Sequence, residues 1–293
     1  DLAAQDGLVC GGTMFFLIDP IYKTEDFNPY AQEVVSAYEG TGPVALVSVV
    51  NPGNSMNKIG NKLFIRQDGS IIGSLGNSAW DKKAINQALE LAPSGKEAFI
   101  ELDDGGEAFI ESYTTPPTLV LAGGGHIAKS MAPLAKTLGF RIFIIDDREE
   151  FANSERFPEA TKVIVDDYAA GMKSLPINPN TAIVVATRGH RHDDRALEAA
   201  AQSPASYIGL LGSRRKGILI YEKLLASGIP LKRVKSIHTP TGLDIGARTP
   251  EEIAVSIMAE IVAFRLVGKG GAMKMEERRI DRIQEKIARK SKN

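Results

Sequence analysis

Residues 118–128 read Thr-Leu-Val-Leu-Ala-Gly-Gly-Gly-His-Ile-Ala, a strand-like run that breaks into glycines and then opens a helical pattern. Within it, Gly123-x-Gly125-x-x-Ala128 has the spacing of a dinucleotide-binding turn. The first glycine permits the tight turn, the second lets a pyrophosphate approach the backbone, and the small third residue lets helix and strand pack closely. The helix that follows offers free N–H groups and the positive end of its dipole to an anion. Alone the motif is a weak signal. Its place between a strand and a helix gives it weight.

Outward from this turn, the chain alternates strands and helices, the mark of a parallel sheet. The pattern predicts strands at 118–122, 141–145, 162–165, 181–186 and 206–210, and helices at 126–138, 193–202, 214–227 and 250–265. The last helix carries its own start signal. Thr249 serves as N-cap, Pro250 sits in the first turn, and Glu252 completes a capping box. The expectation is a Rossmann-type domain over 116–267, entered through Thr114-Thr115-Pro116-Pro117, since consecutive prolines stop strands and helices alike. A charged tail follows over 268–293, with Ile280, Ile283 and Ile287 forming a narrow stripe on a basic helix. Such a stripe suits a solvated or subunit-contacting helix.

Residues 1–115 read as a smaller mixed α+β domain. A buried-strand pattern covers 43–50, the pair Asp68-Gly69 joins 61–66 to 70–75 as a hairpin, and 78–91 has helical spacing. Glu-Ala-Phe-Ile-Glu occurs at 97–101 and again at 107–111, separated by a turn at Asp103-Asp104-Gly105-Gly106. The strand-like run at 13–18 follows Gly11-Gly12 much as 107–112 follows Gly105-Gly106, with prolines beyond each. The chain therefore reads as a fragment holding the end of one module and a second copy of it; two unrelated Gly-Gly hairpins would look the same.

Composition narrows the function classes. Of 293 residues 43% are hydrophobic and 24% charged, the balance of an ordinary globular protein with room for two domains. With 36 acids against 35 bases, there is no basic excess to suggest nucleic acid as a partner. No apolar run reaches membrane-spanning length, and the single cysteine, Cys10, fits a reducing compartment. The cytoplasm is the expected location.

Ligands of such sheets sit at the carboxyl ends of the strands, where three segments converge. The first is the glycine loop with Gly123, Gly125 and His126. Asp146, ending the second strand, is placed to hold ribose hydroxyls, and Arg148 leaves a 2′-phosphate open. The second segment is Thr187-Arg188-Gly189-His190-Arg191-His192-Asp193. The third is Gly212-Ser213-Arg214-Arg215, where Ser213 caps a helix and either arginine suits a phosphate. A cap with two surface arginines is the plain alternative. The spacing His190-x-His192-x-Asp194 invites a metal, but polar residues beside a helix start fit better, and no metal is expected. Cys10, before Gly11-Gly12, reads either as an exposed thiol or as a small buried hydrophobe.

The residues resemble the XdhC/CoxI family, accessory proteins of molybdenum hydroxylases such as xanthine dehydrogenase. The resemblance rests on LAGGGHIAKSMAPLAKTLGF, IDDREEFANSERFPEA, ATRGHRHDDRALEAA, YIGLLGSRRK and TGLDIGARTPEEIAVSIMAEIVAFR, which together span nearly all of 118–265. Residues 1–115 match more loosely, Val9-Cys10-Gly11-Gly12 resembling the Cys-Gly-Gly near the end of the family's N-terminal module. The resemblance implies a chaperone, rather than a catalyst, that binds molybdenum cofactor (molybdopterin), and delivers it after sulfuration to an apo-hydroxylase. A cysteine desulfurase is a second implied partner, and a homodimer is compatible with the tail. The family's Gly-Gly-Cys segment, whose thiol is implicated in cofactor binding, corresponds to Gly76-Asn77-Ser78-Ala79, with Ala79 in place of cysteine. Either this is a degenerate second copy or the activity is lost. The alternative function is an NAD(P)-dependent oxidoreductase with His190 or His192 as proton donor and Asp146 on the ribose.

Overall fold

The structure, a computed structural model, describes residues 16–18 and 24–290. Two sheets organise it, one antiparallel and one parallel. In the first region α1 (Thr24–Glu39) leads into β1 (Val44–Asn51), β2 (Lys62–Arg66), β3 (Ile71–Gly73), α2 (Ser78–Leu91), β4 (Ala98–Glu101) and β5 (Glu107–Tyr113). Their order across the sheet is β3-β2-β1-β5-β4, every pair antiparallel. Both expected hairpins are present. Gly69 turns the first with φ +82°, and β4 pairs with β5 from Ala98↔Ile110 to Glu101↔Glu107.

Alternation places the two faces of this sheet against two helices. Val47, Val49, Leu63, Ile65, Ala108 and Ile110 pack under α2 through Trp80, Ala84 and Ala88. Val44, Leu46 and Phe64 face the other way, onto Ala37, Tyr30 and Val34 of α1. Of the strand-like run at 13–18, residues Phe16–Ile18 carry no strand and the rest lies outside the described residues, as do Cys10 and Gly11-Gly12.

The second region contains β6 (Thr118–Ala122), α3 (His126–Thr137), β7 (Arg141–Asp146), β8 (Lys162–Val165), α4 (Tyr168–Lys173) and β9 (Thr181–Val185). It continues through α5 (His190–Gln202), β10 (Tyr207–Leu210), α6 (Arg214–Ala226), α7 (Leu231–Lys235), β11 (Ile237–His238) and α8 (Pro250–Arg265). All six strands are parallel, in the order β11-β10-β9-β6-β7-β8. Counted from β6, that is the doubly wound order 3-2-1-4-5-6, with its switch point between β6 and β9. β6 and β9 are buried along their whole length, which is why each reads as a continuous apolar run rather than an alternating one. One face of the sheet packs on α4, α5 and α6, the other on α3 and α8.

Three differences from the expected elements have physical causes. α5 starts at His190 rather than 193, because Asp193 is wholly buried and bonds back to Thr187 instead of opening the helix. The short α4, α7 and β11 have too few residues to show a period. The connection at 114–117 is not a loose tether: Thr115 is buried, with Asn178 donating to its hydroxyl at 3.0 Å and Asn180 to its carbonyl at 2.9 Å.

The predicted capping box of α8 is present, Thr249 Oγ1 accepting from Glu252 N–H and the Glu252 carboxylate accepting from Thr249 N–H. Further along α8, Glu260 accepts from Tyr207 Oη, Thr241 Oγ1 and Gly242 N–H, while His238 Nδ1 stands 3.1 Å away. Burial opposes its charge, but these bonds, His238 and Tyr207 first, hold the carboxyl down at about 2. After α8 comes α9 (Glu277–Lys290), with Ile280 and Ile283 about half exposed. No described helix is long and apolar enough to cross a membrane.

Candidate functional site

The carboxyl ends of β6, β7, β9 and β10 open toward one edge of the parallel sheet, and the three expected segments meet there. Each glycine of the 123–125 turn is required or permitted for a different reason. Gly123 has φ +117°, and a Cβ on it would stand 2.2 Å from the carbonyl oxygen of Ala186. A Cβ on Gly124 would stand 1.9 Å from the carbonyl oxygen of Phe151. At Gly125 a Cβ would meet nothing within 4 Å. Gly125 also precedes α3 without any side-chain cap, which leaves the first N–H groups of the helix without a side-chain acceptor. Ala128 is buried one turn on, and His126, the first helical residue, is exposed.

Asp146 does not face that opening. Its carboxylate is fully buried and accepts from Gly124 N–H at 2.8 Å, from Arg148 N–H at 3.1 Å, and from Arg148 Nε and Nη2 at 2.9 and 3.1 Å. Burial works against its charge, yet the Arg148 guanidinium and the Gly124 amide outweigh this and hold the carboxyl below its usual range. Arg148 is equally committed, its guanidinium carbon 3.7 Å from the centroid of the Phe151 ring. Asp146 and Arg148 thus brace the glycine loop. Arg156 supports the loop from the other side, its Nε donating to the Gly124 carbonyl at 2.9 Å.

The acid turned toward the crevice is the next residue. Asp147 Oδ2 accepts from Arg188 Nη2 at 2.9 Å, and His192 Nδ1 lies 3.8 Å away. Its Oδ1 is buried and accepts no hydrogen bond, with Arg148 Nε 3.7 Å away. Tyr168, at the start of α4, sets its ring edge-on to His192 with centroids 6.0 Å apart. Its hydroxyl is buried without a hydrogen-bond partner, and burial, followed by the Asp146 and Asp147 charges, pushes it above its usual range.

A buried ion pair joins the other two segments. Asp193 Oδ1 accepts from Thr187 Oγ1 at 2.8 Å and from Thr187 N–H at 3.3 Å, and its Oδ2 pairs with Lys216 Nζ. Lys216 also donates to the Leu211 carbonyl at 3.2 Å, and its own N–H donates to the Ser213 cap at 3.3 Å. Arg214 and Arg215, one and two residues on from that cap, are exposed and make no ion pair among the described residues. His190 opens α5, but its side chain lies outside the described set. His192 and Asp194 do not share a direction, because His192 faces Asp147 while Asp194 pairs with Lys223 of α6.

Asp147, Tyr168 and Lys216 were not expected from the sequence, and Asp193 was expected only as the last residue of the second segment. Asp147 had a signal, the doubled acid Asp146-Asp147. Lys216 had one too, as the last base of Arg214-Arg215-Lys216 at a helix start.

Two family models match the chain. The XdhC Rossmann domain covers residues 119–261, and the XdhC and CoxI family model covers 37–103. The chain belongs to the XdhC/CoxI family.

Curated relatives agree with this membership. The uncharacterized protein YqeB of Escherichia coli (strain K12) is 32% identical over 257 residues, 82% of this chain and 47% of that protein. A probable xanthine dehydrogenase subunit of Bacillus subtilis (strain 168) is 34% identical over 157 residues, 54% of this chain and 46% of that protein. The molybdenum cofactor insertion chaperone PaoD of Escherichia coli (strain K12) is 23% identical over 296 residues, 84% of this chain and 91% of its length. The chain thus spans about half the length of the first two relatives.

Residues 76–79, expected to correspond to the family's Gly-Gly-Cys, lie in the first region, where Asn77 caps α2 by accepting from Trp80 N–H at 2.9 Å and Ala79 is exposed in the first turn. Among the described residues, no hydrogen bond or ion pair joins it to the crevice.

Proposed function

We propose that this chain binds a phosphorylated pterin, the molybdenum cofactor, as cargo and passes it to a molybdenum hydroxylase. The observation that carries this reading is the open space at Gly125, with the uncapped start of α3 behind it and the free guanidinium groups of Arg214 and Arg215 on the facing lip. Backbone N–H groups at a helix start and an unpaired arginine are the groups that hold a phosphate. The likeness to the insertion chaperone PaoD, which runs over most of both chains, supports the choice of cargo.

In this reading the residues at 123–126 seat the phosphate, and Arg214 or Arg215 closes on it. Sulfuration before delivery and a desulfurase partner belong to the same proposal, with the sulfur handled outside this crevice, since Ala79 offers no thiol. Against the oxidoreductase alternative, Asp146 is held by Gly124 and Arg148, and His192 Nδ1 faces Asp147.

The test is retention. The chain is incubated with molybdenum cofactor under reducing conditions and gel-filtered, and the protein peak is assayed for molybdenum by mass spectrometry and for pterin by fluorescence. Near-stoichiometric retention is expected. Arg214→Ala should weaken it about tenfold or more, the value of a charge-assisted hydrogen bond. An Arg214→Ala variant that retains pterin as the parent does would overturn the placement.

A further inference from the structure

We propose that the open face of the β4–β5 hairpin is the docking surface for the tail helix α9 of a second copy of this chain, two copies exchanging tails.

The repeated Glu-Ala-Phe-Ile-Glu builds that face. β4 and β5 are antiparallel with Phe99 opposite Phe109 and Glu101 opposite Glu107, so the two repeats lie head to tail. A strand's period of two then sends Ile100, Ala108 and Ile110 under α2 and leaves the phenylalanines and the glutamates on the other side. There the rings of Phe99 and Phe109 meet with centroids 4.7 Å apart, flanked along each strand by the glutamates two residues away. α1 covers this side of the sheet around Val44, Leu46 and Phe64, and Phe99 remains 74% exposed.

The charge around the rings is unbalanced. Glu107 accepts from Asn51 Nδ2 at 3.3 Å, and none of Glu97, Glu101, Glu107 and Glu111 forms an ion pair among the described residues. Lys96, the base next to Glu97, is turned to the Phe264 ring instead. Like charges set opposite each other across a hairpin repel. An acid rim around exposed aromatic rings fits a basic amphipathic helix.

α9 is such a helix, and it lacks a partner. Its 14 residues hold six bases, Arg278, Arg279, Arg282, Lys286, Arg289 and Lys290, against three acids. Arg279 and Lys286 stand at the edge of the isoleucine stripe, four residues before and three after Ile283. Every residue over 266–287 is exposed. A helix this short is marginal in water without something to pack on.

The path of the chain directs α9 away from its own hairpin. Phe264, at the end of α8, is the part of that helix beside Lys96 and hence near the start of β4. There Val267 takes φ +57° and Gly268 N–H donates to the Ala263 carbonyl at 2.7 Å, which reverses the chain. Gly270 then lies against Leu243, whose N–H donates to the carbonyl of Ser256, about 12 Å back along α8 from Phe264. The tail therefore departs from the hairpin of its own chain and is offered to another. One helix face on two rings is small beside the about 1,200 Å² of a specific interface, and reciprocal exchange forms the contact twice.

The test is gel filtration of the full chain with light scattering over a concentration series. Twice the chain mass is expected, with dissociation favoured as salt rises. Phe99→Ser and Ile283→Asp, both at exposed positions, should each weaken the dimer at least about tenfold at an unchanged melting temperature. Mixing these two variants should bring a dimer back, because one intact tail then meets one intact face. Glu97→Lys with Glu101→Lys should also weaken the dimer, and adding Arg279→Glu with Lys286→Glu to the same chain should restore it. A parent chain that stays monomeric at every concentration, its tail free or folded onto its own hairpin, overturns the proposal. So does a dimer that keeps its affinity in both single variants, or variants that fail to complement each other on mixing.

Discussion

Each region of the molecule sends a strand into a glycine-bearing turn and then a helix, and the two turns are finished differently. Before α2 the N–H of Trp80 is taken by the Asn77 side chain, and a Cβ on Gly76 would stand 2.2 Å from Asn57 Oδ1. Before α3 there is no capping side chain, and the space above Gly125 is open. The first turn satisfies itself. The second leaves donors for something else, which is the physical difference between a helix start that is scaffold and one that can be a site.

The largest expected effect tests whether the second turn is as tightly built as it looks. Gly124→Ala should cost about 3 kcal/mol or more, because the new methyl group meets the Phe151 carbonyl and the backbone has to move. Gly125→Ala, one residue on, should change stability by less than about 0.5 kcal/mol yet weaken pterin retention. Thermal melts of the two variants decide the matter. Equal losses of stability would remove the distinction between bracing and open glycines.

Acid titration probes a carboxylate that serves the scaffold. Glu260 is held at about 2 against an ordinary 4.5, so its contribution is fully present above about 4.5 and is lost as pH falls toward 2. Allowing for solvent screening, on the order of 2 kcal/mol should disappear across that window, and Glu260→Gln should flatten it. A parent and variant with parallel acid melts would show that Glu260 is not charged in the folded chain. The smallest effect belongs to the first region. Asn77→Ala should cost about 1 kcal/mol, seen as a lower midpoint in urea, with no change in pterin retention. Lost retention would mean that the capped turn also serves the ligand.

Much of the second region was legible because β6 and β9 are buried on both faces and therefore write unbroken apolar runs. The glycine turn and the capping box were legible because each rests on local backbone geometry. What each acid does at the end of β7 was not. Asp146 and Asp147 differ by one residue, and a strand's period of two sends neighbours to opposite sides, so a boundary read to within a residue cannot say which carboxylate turns inward. Nor could the sequence show Lys216 reaching back to Asp193, since their pairing depends on how β9 and β10 lie side by side. In the first region the apolar contacts of α1 are confined to a narrow stripe, Tyr30, Val34 and Ala37, among polar residues, and the resemblance there was loose.

The Asp193–Lys216 pair has a mechanical consequence. It pins the segment after β9 to the segment after β10 at one buried point, with Thr187 and Leu211 held at either end. The two lips cannot swing apart one at a time without stranding a charge in the interior. Any breathing on that side of the crevice must therefore be a single concerted opening, a jaw with one rivet, while the Arg188–Asp147 contact across from it can slip open alone.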